Sequence, residues 1–231
     1  ADADRLLRAL APLPVDALDL SAARRLPQML HRERGSLRAR LRRSELIGVR
    51  LHDLEDSFTL FAVPFGTYID IDRGISCGVS SWRRTDDNAI PARGKITGSY
   101  VNAALAKTEA NEAGFDEAIV LNPDGHVSEG SAENLFMVRD GALVTPPGTD
   151  NILEGIVRQS LMRIAEDEGI PVAIRQIDRT ELYIADEVFL CGTGAQISPV
   201  VSIDHRSVGD GKIGPVTTRI KDVYFRAVRG D

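Results

Sequence analysis

A lysine and a carboxylate stand out in this sequence because their surroundings could make them chemically active. Lys95 lies between Gly94 and Gly98 in "ARGKITGSY". An apolar setting favours the uncharged lysine amine, which attacks carbonyl groups and forms a Schiff base. Glu129 lies in "EGSAENLF", beside residues typical of a strand, where a buried carboxylate is costly without a cation. Taken alone, Lys95 is more simply a surface lysine, and Glu129 could equally lie on a solvated turn.

Two glycine-containing segments could bind an anion. In "DNILEGIVRQ", Gly155 precedes a predicted helix, so the backbone amides of Ile156 and Val157 would have no partner within that helix. In "CGTGAQISP", Thr193 and its neighbouring glycines follow a predicted strand and offer a hydroxyl group and successive amides. Each segment also has an ordinary interpretation, a capped helix in the first case and a turn in the second.

Alternating strand and helix patterns surround these candidate residues. The segment "YVNAALAKTEANEAG" predicts a helix that ends at Gly114, and "IVRQSLMRIAEDEGI" predicts an amphipathic helix, with Ile156 on its apolar face, that ends at Gly169. Hairpins are predicted at "EAIVLNPDGHVSEGS" and "LFMVRDGALVTPP", because Asn-Pro-Asp-Gly and Arg-Asp-Gly favour tight turns. Short strands are predicted at "ISCGVSSW", "VAIRQI" and "EVFLCGT", with a small helix at "RTELYIAD". This mixture indicates an α/β protein that is not a plain doubly wound parallel sheet.

The sequence predicts a small N-terminal α/β domain and a larger C-terminal domain. Apolar residues at three- and four-residue spacing predict helices between Leu6 and Leu30, and "DSFTLFAVPFGTYIDI" predicts one or two strands. Residues 71–74 are polar and turn-rich, and we interpret them as a linker between a domain of residues 1–70 and one of residues 75–231. Because the chain does not begin with Met, the numbered chain is expected to be part of a longer gene product.

Composition argues against several classes of protein. A net charge of -6 disfavours a nucleic-acid-binding face, and the basic stretch from Arg32 to Arg43 is interpreted as a local solvated segment. Cys77 and Cys191 are the only cysteines, which indicates no disulfide framework and a reducing cytoplasm. No apolar run or signal-peptide pattern indicates a membrane segment, and the four histidines have no metal-ligand spacing. Trp82 is interpreted as a core residue.

The order of the motifs resembles the class IV aminotransferases, which use pyridoxal 5'-phosphate (PLP). "EGSAENLF", "LVTPP" and "LEGIVR" follow one another as in the family signature, and "SSWRR…AIPARGKITGSYVN" and "ADEVFLCGTGAQISPV" extend the likeness. The likeness runs from about Phe61 to nearly the end and is greatest to branched-chain amino acid aminotransferases. It implies a fold-type IV PLP enzyme with a barrel-like sheet in the larger domain, assembled as a homodimer or higher homo-oligomer. It also implies that the first domain is incomplete at its start.

The resemblance also implies a role for each matching residue. Lys95 would carry the covalent link to PLP and then move the proton between the substrate carbon and the cofactor. Glu129 would pair with the protonated ring nitrogen, which would be the expected cation, and Tyr100 would hydrogen-bond to the phenolic oxygen. The other residues implied for the cofactor and its phosphate are Arg5, Asn134, Leu153, Ile156, Val157 and Thr193. Glu133 and Asn134 would support the site. The residues implied for the substrate are Gly194, Ala195, Tyr68, Phe61, Arg50 and His52.

The implied reaction is the ping-pong transfer of an amino group from a branched-chain L-amino acid to 2-oxoglutarate, an activity of amino-acid biosynthesis. A D-amino acid or (R)-amine transaminase is an alternative, since Arg50 and His52 are similar to the carboxylate-binding pair of D-amino acid transaminases. An aminodeoxychorismate lyase and a non-catalytic relative are further alternatives, although Lys95, Glu129 and Tyr100 together argue against the last. Val157 replaces a threonine common in the family and so removes one hydroxyl group from the phosphate site.

Overall fold

The computed structural model describes Ile69 and residues 71–230. Within them, nine strands form one sheet, and three α-helices pack against it. The strands are β1 (Ile75–Arg83), β2 (Glu117–Leu121), β3 (Val127–Gly130), β4 (Asn134–Arg139), β5 (Ala142–Thr145), β6 (Val172–Ile174), β7 (Glu187–Gly192), β8 (Gln196–Ile203) and β9 (Arg206–Ser207). The α-helices are α1 (Tyr100–Glu112), α2 (Ile156–Asp167) and α3 (Pro215–Arg229), and short 3₁₀ helices cover Ala92–Gly94, Thr97–Ser99, Gly148–Asp150 and Arg179–Ile184.

The sheet mixes parallel and antiparallel strands in the order β3-β2-β1-β8-β7-β4-β5-β6, with β9 beside β8. β1 is parallel to β2 and to β8, and β5 is parallel to β6. α1 connects β1 to β2 and α2 connects β5 to β6, because a parallel pair needs a crossover connection. The hairpin of β4 and β5 turns at Asp140 and Gly141, whose φ angles of 51° and 75° suit a type I′ turn. The predicted α/β class is confirmed.

Alternate residues of the strands point to opposite faces of the sheet and form separate hydrophobic cores. In β4, Leu135 and Met137 belong to a core to which β1, β2, β3, β5, β7 and β8 all contribute. Phe136 and Val138 of the same strand point the other way, into a core shared with α2 and α3. Alanines of α1 cover the outward residues of β2. The first core therefore fills the inside of a curled sheet, and the helices cover its outside.

The two ends of the strand order meet one another. His126, just before β3, forms a bridge with Asp178, a few residues after β6. The Val127 amide donates a hydrogen bond to the Ile177 carbonyl at 2.9 Å. Because β3 and β6 are the first and last strands of the order, these contacts curl the sheet, and the barrel-like form expected from the resemblance is confirmed.

The helices and hairpins that have local sequence signals are confirmed. Gly114 and Gly169 follow α1 and α2 with φ angles of 86° and 71°. Two expectations are wrong. Ile156 is 78% exposed, because the buried side of α2 begins at Val157, and Trp82 is 43% exposed, because it lies among the last, exposed residues of β1. The sequence patterns do not predict β8 or α3.

The proposed small domain of residues 1–70 lies outside the described residues, apart from Ile69, so its boundaries and the linker at residues 71–74 remain predictions. None of the described helices combines the length and the apolar content that crossing a bilayer requires.

Candidate active site

Glu129, on β3, is the centre of a buried cluster of hydrogen bonds. The residue is 3% exposed, and its Oε2 accepts hydrogen bonds from Asn134 Nδ2 at 2.7 Å and from the Leu153 amide at 3.1 Å. Its Oε1 accepts a hydrogen bond from Arg84 Nη2, and this contact is also an ion pair. The structure therefore brings together three residues that the sequence assigned to cofactor binding, and it adds an arginine to them.

A tight turn between β3 and β4 sets the position of Glu129 relative to Asn134. The Gly130 amide donates a hydrogen bond to the Glu133 carbonyl at 2.7 Å, and the Ala132 amide donates to Glu133 Oε2 at 3.0 Å. Glu133 is itself 3% exposed. Its carboxylate therefore braces the turn from inside, a contact consistent with the supporting role that the sequence predicts for it.

The environment of Glu129 works against its negative charge. Burial raises the pKa of Glu129 to about 7, while the charge of Arg84 and hydrogen bonds from Leu153 and Asn134 oppose that rise. The carboxyl group therefore ionises much less readily than an ordinary glutamate. A further cation in contact with it would shift it to the ionised form, and a protonated aromatic ring nitrogen is a cation of this kind.

The start of α2 packs directly on this cluster. Gly155 is the N-cap residue, and a Cβ atom there would lie 2.3 Å from Asn134 Oδ1, so a glycine is needed for this close approach. Asn134 Nδ2 also donates a hydrogen bond to the Leu153 carbonyl at 2.7 Å. No described side chain caps α2, so the amides of Ile156 and Val157 are available to an anion at the helix start.

Arg158 fastens the first turn of α2 to the end of β5. The residue is 5% exposed, its Nε donates to Thr145 Oγ1 at 3.1 Å, and its Nη2 donates to the Pro146 carbonyl at 2.9 Å. The Thr145 hydroxyl in turn donates to the Leu135 carbonyl at 2.9 Å. These bonds hold the N terminus of α2 at one place relative to β4 and β5.

Lys95 follows the 3₁₀ helix Ala92–Gly94 and has a left-handed φ angle of 49°. Its Nζ lies 5.7 Å from the ring centroid of Tyr100, the first residue of α1. Arg93 ties this segment to the residues before α2, because its Nε donates to Glu154 Oε1 at 2.8 Å. Lys95 is exposed in the described part of the chain, so the apolar setting considered for its amine is not found there.

The turn between β7 and β8 carries the second predicted anion-binding segment. Thr193 and Gly194 are exposed in this turn, and Ala195 is buried. Cys191 of β7 pairs with Asn134 of β4, so the end of β7 lies beside the start of β4. This register places the turn at the same end of the strands as the Glu129 cluster.

Some predicted site residues lie outside the described residues, namely Arg5, Arg50, His52, Phe61 and Tyr68. Three arginines with contacts around the site, Arg84, Arg93 and Arg158, were not singled out from the sequence. All three belong to segments that carry the family resemblance, "SSWRR", "ARGK" and "LEGIVR". The signal that could have identified Arg84 is the buried acid itself, because a buried carboxylate requires a cation and the chain could supply one.

Comparisons with known proteins identify the family of the chain. The family model described as amino-transferase class IV matches residues 3–203. The probable branched-chain-amino-acid aminotransferase of Aquifex aeolicus is 50% identical over 182 residues, which cover 78% of this chain and 58% of that protein. The chain therefore spans little more than half the length of that relative.

Solved structures are similar as well. The branched-chain aminotransferase of Thermoproteus uzoniensis with norvaline has a TM-score of 0.70 and 47% identity, with 73% of this chain and 55% of that chain covered. The branched-chain amino acid aminotransferase of Thermobaculum terrenum in its PLP-form (holo-form) has a TM-score of 0.67 and 43% identity, with 69% of this chain and 52% of that chain covered. The fold expected from the resemblance is confirmed, and the chain belongs to the class IV aminotransferase family.

Proposed function

We propose that this chain is a PLP-dependent aminotransferase that moves the amino group of a branched-chain L-amino acid to 2-oxoglutarate by a ping-pong mechanism. The observation that carries the proposal is the buried Glu129 carboxylate, held by Asn134 and Leu153 beside the open start of α2. The names of the relatives support the choice of a branched-chain substrate.

The residues of the site fit the chemical groups of PLP. The ring of the bound cofactor withdraws electrons from the reacting carbon of the amino acid. Glu129 would hold the ring nitrogen in its protonated form, and the Ile156 and Val157 amides with the Thr193 hydroxyl would bind the phosphate. Tyr100 would donate a hydrogen bond to the phenolic oxygen. PLP has a ring nitrogen that can be cationic and a phosphate that is anionic, and the site offers a buried carboxylate for the first and a helix start for the second.

Lys95 would act twice in this reaction. Its Nζ would bond covalently to the cofactor. Once the amino acid has displaced it, the same amine would move the proton between the substrate α-carbon and the cofactor. The Gly194 and Ala195 amides would bind the substrate carboxylate. Arg5 for the phosphate, and Tyr68, Arg50 and His52 for the substrate, complete the proposed set and lie among the residues that the structure does not describe.

The remaining proposals concern the whole protein. The family resemblance supports a homodimer or higher homo-oligomer, built from a small N-terminal domain of residues 1–70 and a large domain of residues 75–231. A net charge of -6 and two cysteines support a cytoplasmic enzyme that does not bind nucleic acid.

The test follows the visible absorbance of the full chain with PLP while L-leucine, D-alanine and (R)-1-phenylethylamine are added separately. We expect L-leucine alone to convert the absorbance of the lysine-bound cofactor to that of the aminated cofactor, and 2-oxoglutarate to reverse the change. Conversion by D-alanine or the amine instead would replace the substrate proposal with the alternative transaminase.

The variant Lys95→Ala tests the role of the lysine. We expect it to lose both the absorbance of the covalent link and turnover while circular dichroism shows a retained fold, because no amine remains to form the bond. Lys212→Ala, whose side chain is 81% exposed away from these residues, is the matched control and should behave as wild type. Normal turnover in Lys95→Ala would remove the catalytic assignment.

A further inference from the structure

Arg84 is the charged partner of Glu129 within the described chain. Its Nη2 donates to Glu129 Oε1, and the two side chains are 11% and 4% exposed. The arginine is held from two other directions, because its Nε donates to the Asn151 carbonyl at 3.1 Å and its amide donates to the Leu121 carbonyl at 2.8 Å. The contact therefore joins two immobilised groups, unlike a surface ion pair between long, mobile side chains.

The two oxygens of Glu129 have different partners. Oε2 accepts hydrogen bonds from Asn134 and Leu153, whereas Oε1 accepts from Arg84. A carboxylate oxygen has about two lone-pair positions, so Oε1 retains capacity for one further donor. Arg84 can therefore remain paired with the carboxylate while a cationic group binds to it as well.

The charge of Arg84 opposes a strong effect of burial. Burial raises the pKa of Glu129, nearby Glu133 adds to that rise, and Arg84 is the first of the groups that lower it. Removing Arg84 would raise the pKa of Glu129 further and so favour its neutral form, and a neutral carboxyl group cannot serve as a counter-ion. Arg84 attracts the carboxylate and repels a second cation bound there. Coulomb energy falls with distance, and Arg84 is in contact with the carboxylate but farther from that second cation, so the attraction is larger than the repulsion.

We propose that Arg84 is a positioning residue that favours the ionised form of Glu129 and orients its carboxylate towards the ring nitrogen of PLP. This inference rests on the proposed function and deepens it. Arg84 does not contact the reacting atoms. It acts through the carboxylate, so its removal should weaken cofactor binding most where the carboxylate would otherwise take up a proton.

The experiment measures the dissociation constant of PLP for the full chain by equilibrium dialysis between about pH 6.5 and about pH 8.5. At pH 7 we expect the dissociation constant of PLP to be at least about tenfold higher for Arg84→Met than for wild type. The ratio of the two constants should decrease as the pH rises, because alkaline pH restores the charge of Glu129. Arg84→Lys keeps the positive charge and should retain most of the affinity. Arg83→Met, an exposed neighbour at the end of β1, is the matched control.

A double-mutant cycle shows whether Arg84 acts through Glu129. In a Glu129→Gln background, Arg84→Met should lose its pH-dependent effect, since no carboxyl group remains to titrate. An undiminished effect in that background, or a pH-independent loss in Arg84→Met alone, would overturn the inference. If Arg84→Met lacks a cooperative thermal unfolding transition, Arg84→Gln provides the same comparison with an uncharged donor.

The outcomes separate the inference from the function on which it rests. Wild-type chain that binds PLP, together with an Arg84→Met variant that matches it at every pH, overturns the role of Arg84 alone. Wild-type chain that does not bind PLP at any pH overturns the proposed function, and this inference with it.

Discussion

Glu129 is a carboxyl group whose folded surroundings favour its neutral form. Burial raises its pKa from 4.5 to about 7, even with Arg84 opposing the rise. Between these values the folded chain keeps a proton that the unfolded chain releases, so the contribution of Glu129 to stability is greatest below pH 4.5 and declines as the pH rises to about 7. Such a residue destabilises the chain without cofactor, and a bound cation would offset that cost.

The variant Glu129→Gln should remove this titration. We expect the free energy of unfolding of the wild-type chain without cofactor to decrease between about pH 4.5 and about pH 7.5, and to decrease less in the variant, because a pKa difference of about 1 between the folded and unfolded chain corresponds to about 1.4 kcal/mol. Urea unfolding followed by circular dichroism at both pH values measures the difference. Glu166→Gln, at an exposed position of α2, is the control and should keep the wild-type slope. An unchanged slope in Glu129→Gln would contradict the explanation.

At the scale of the element, a buried arginine helps to fix the position of the N terminus of α2. Arg158 reaches back from the first turn to Thr145 and to the Pro146 carbonyl, both at the end of β5. The start of α2 is the proposed phosphate site, so its position must be fixed relative to Glu129 for one ligand to contact both. A helix held only by apolar contacts could slide by a fraction of a turn at small cost, whereas directed hydrogen bonds restrict such movement.

Replacing this arginine should affect both stability and cofactor affinity. We expect Arg158→Met to lower the free energy of unfolding by about 1–3 kcal/mol, because the buried Pro146 carbonyl loses its donor. We also expect weaker PLP binding in equilibrium dialysis. Arg163→Met, on the same helix with a side chain 75% exposed, is the matched control and should change neither quantity measurably. Wild-type stability and affinity in Arg158→Met would show that the other contacts of the helix position it without this arginine.

At the scale of the whole molecule, β1 is fixed by carboxylates from distant parts of the chain. Asp116 accepts a hydrogen bond from the Ser76 amide at 2.8 Å, and Asp204 accepts one from the Val79 amide at 2.8 Å. Burial by itself would raise the pKa of Asp204, but hydrogen bonds from Tyr183 and Val79 outweigh it, and the resulting pKa is lowered. The pKa of Asp116 is lowered in the same way, because the hydrogen bonds from Ser76 outweigh its burial. Both groups therefore stabilise the fold in their ionised form.

The sign of these shifts predicts loss of stability in acid. A carboxyl group with a lowered folded pKa contributes stability that is complete above its unfolded value of 3.8 and is lost as the pH falls through the folded value. We expect the free energy of unfolding to drop between about pH 5 and about pH 3, and to drop less in Asp204→Asn, as measured by urea unfolding. Asp140→Asn, whose side chain is 94% exposed, should keep the wild-type dependence. Equal acid sensitivity in wild type and Asp204→Asn would refute this role.

Much of the fold has local causes, and these parts are predictable from the sequence. The residues of the turns before β3 and β5 predict their hairpins because only a few residue types tolerate the required φ angles. Gly114 and Gly169 mark the ends of α1 and α2 for the same reason. The order of motifs also predicts the family, which the comparisons confirm. Gly192 and Gly194 lie just before β8 and resemble a turn, and this local signal hides the strand that follows.

Only the tertiary structure decides which distant residues meet. Arg84 and Glu129 are 45 positions apart, and they meet because β1 and β2 pair in parallel around α1 while β3 folds back on β2. The sequence by itself determined the family, the helix start at Gly155 and the position of an acid in "EGSAENLF" that would need a cation if it were buried, and the tertiary structure decided that it is buried. The sequence could not determine that the chain supplies one cation itself, or that Ile156 points to solvent. Backbone preferences and hydrophobic periodicity act over a few residues, whereas an ion pair depends on the register and crossover of the whole sheet.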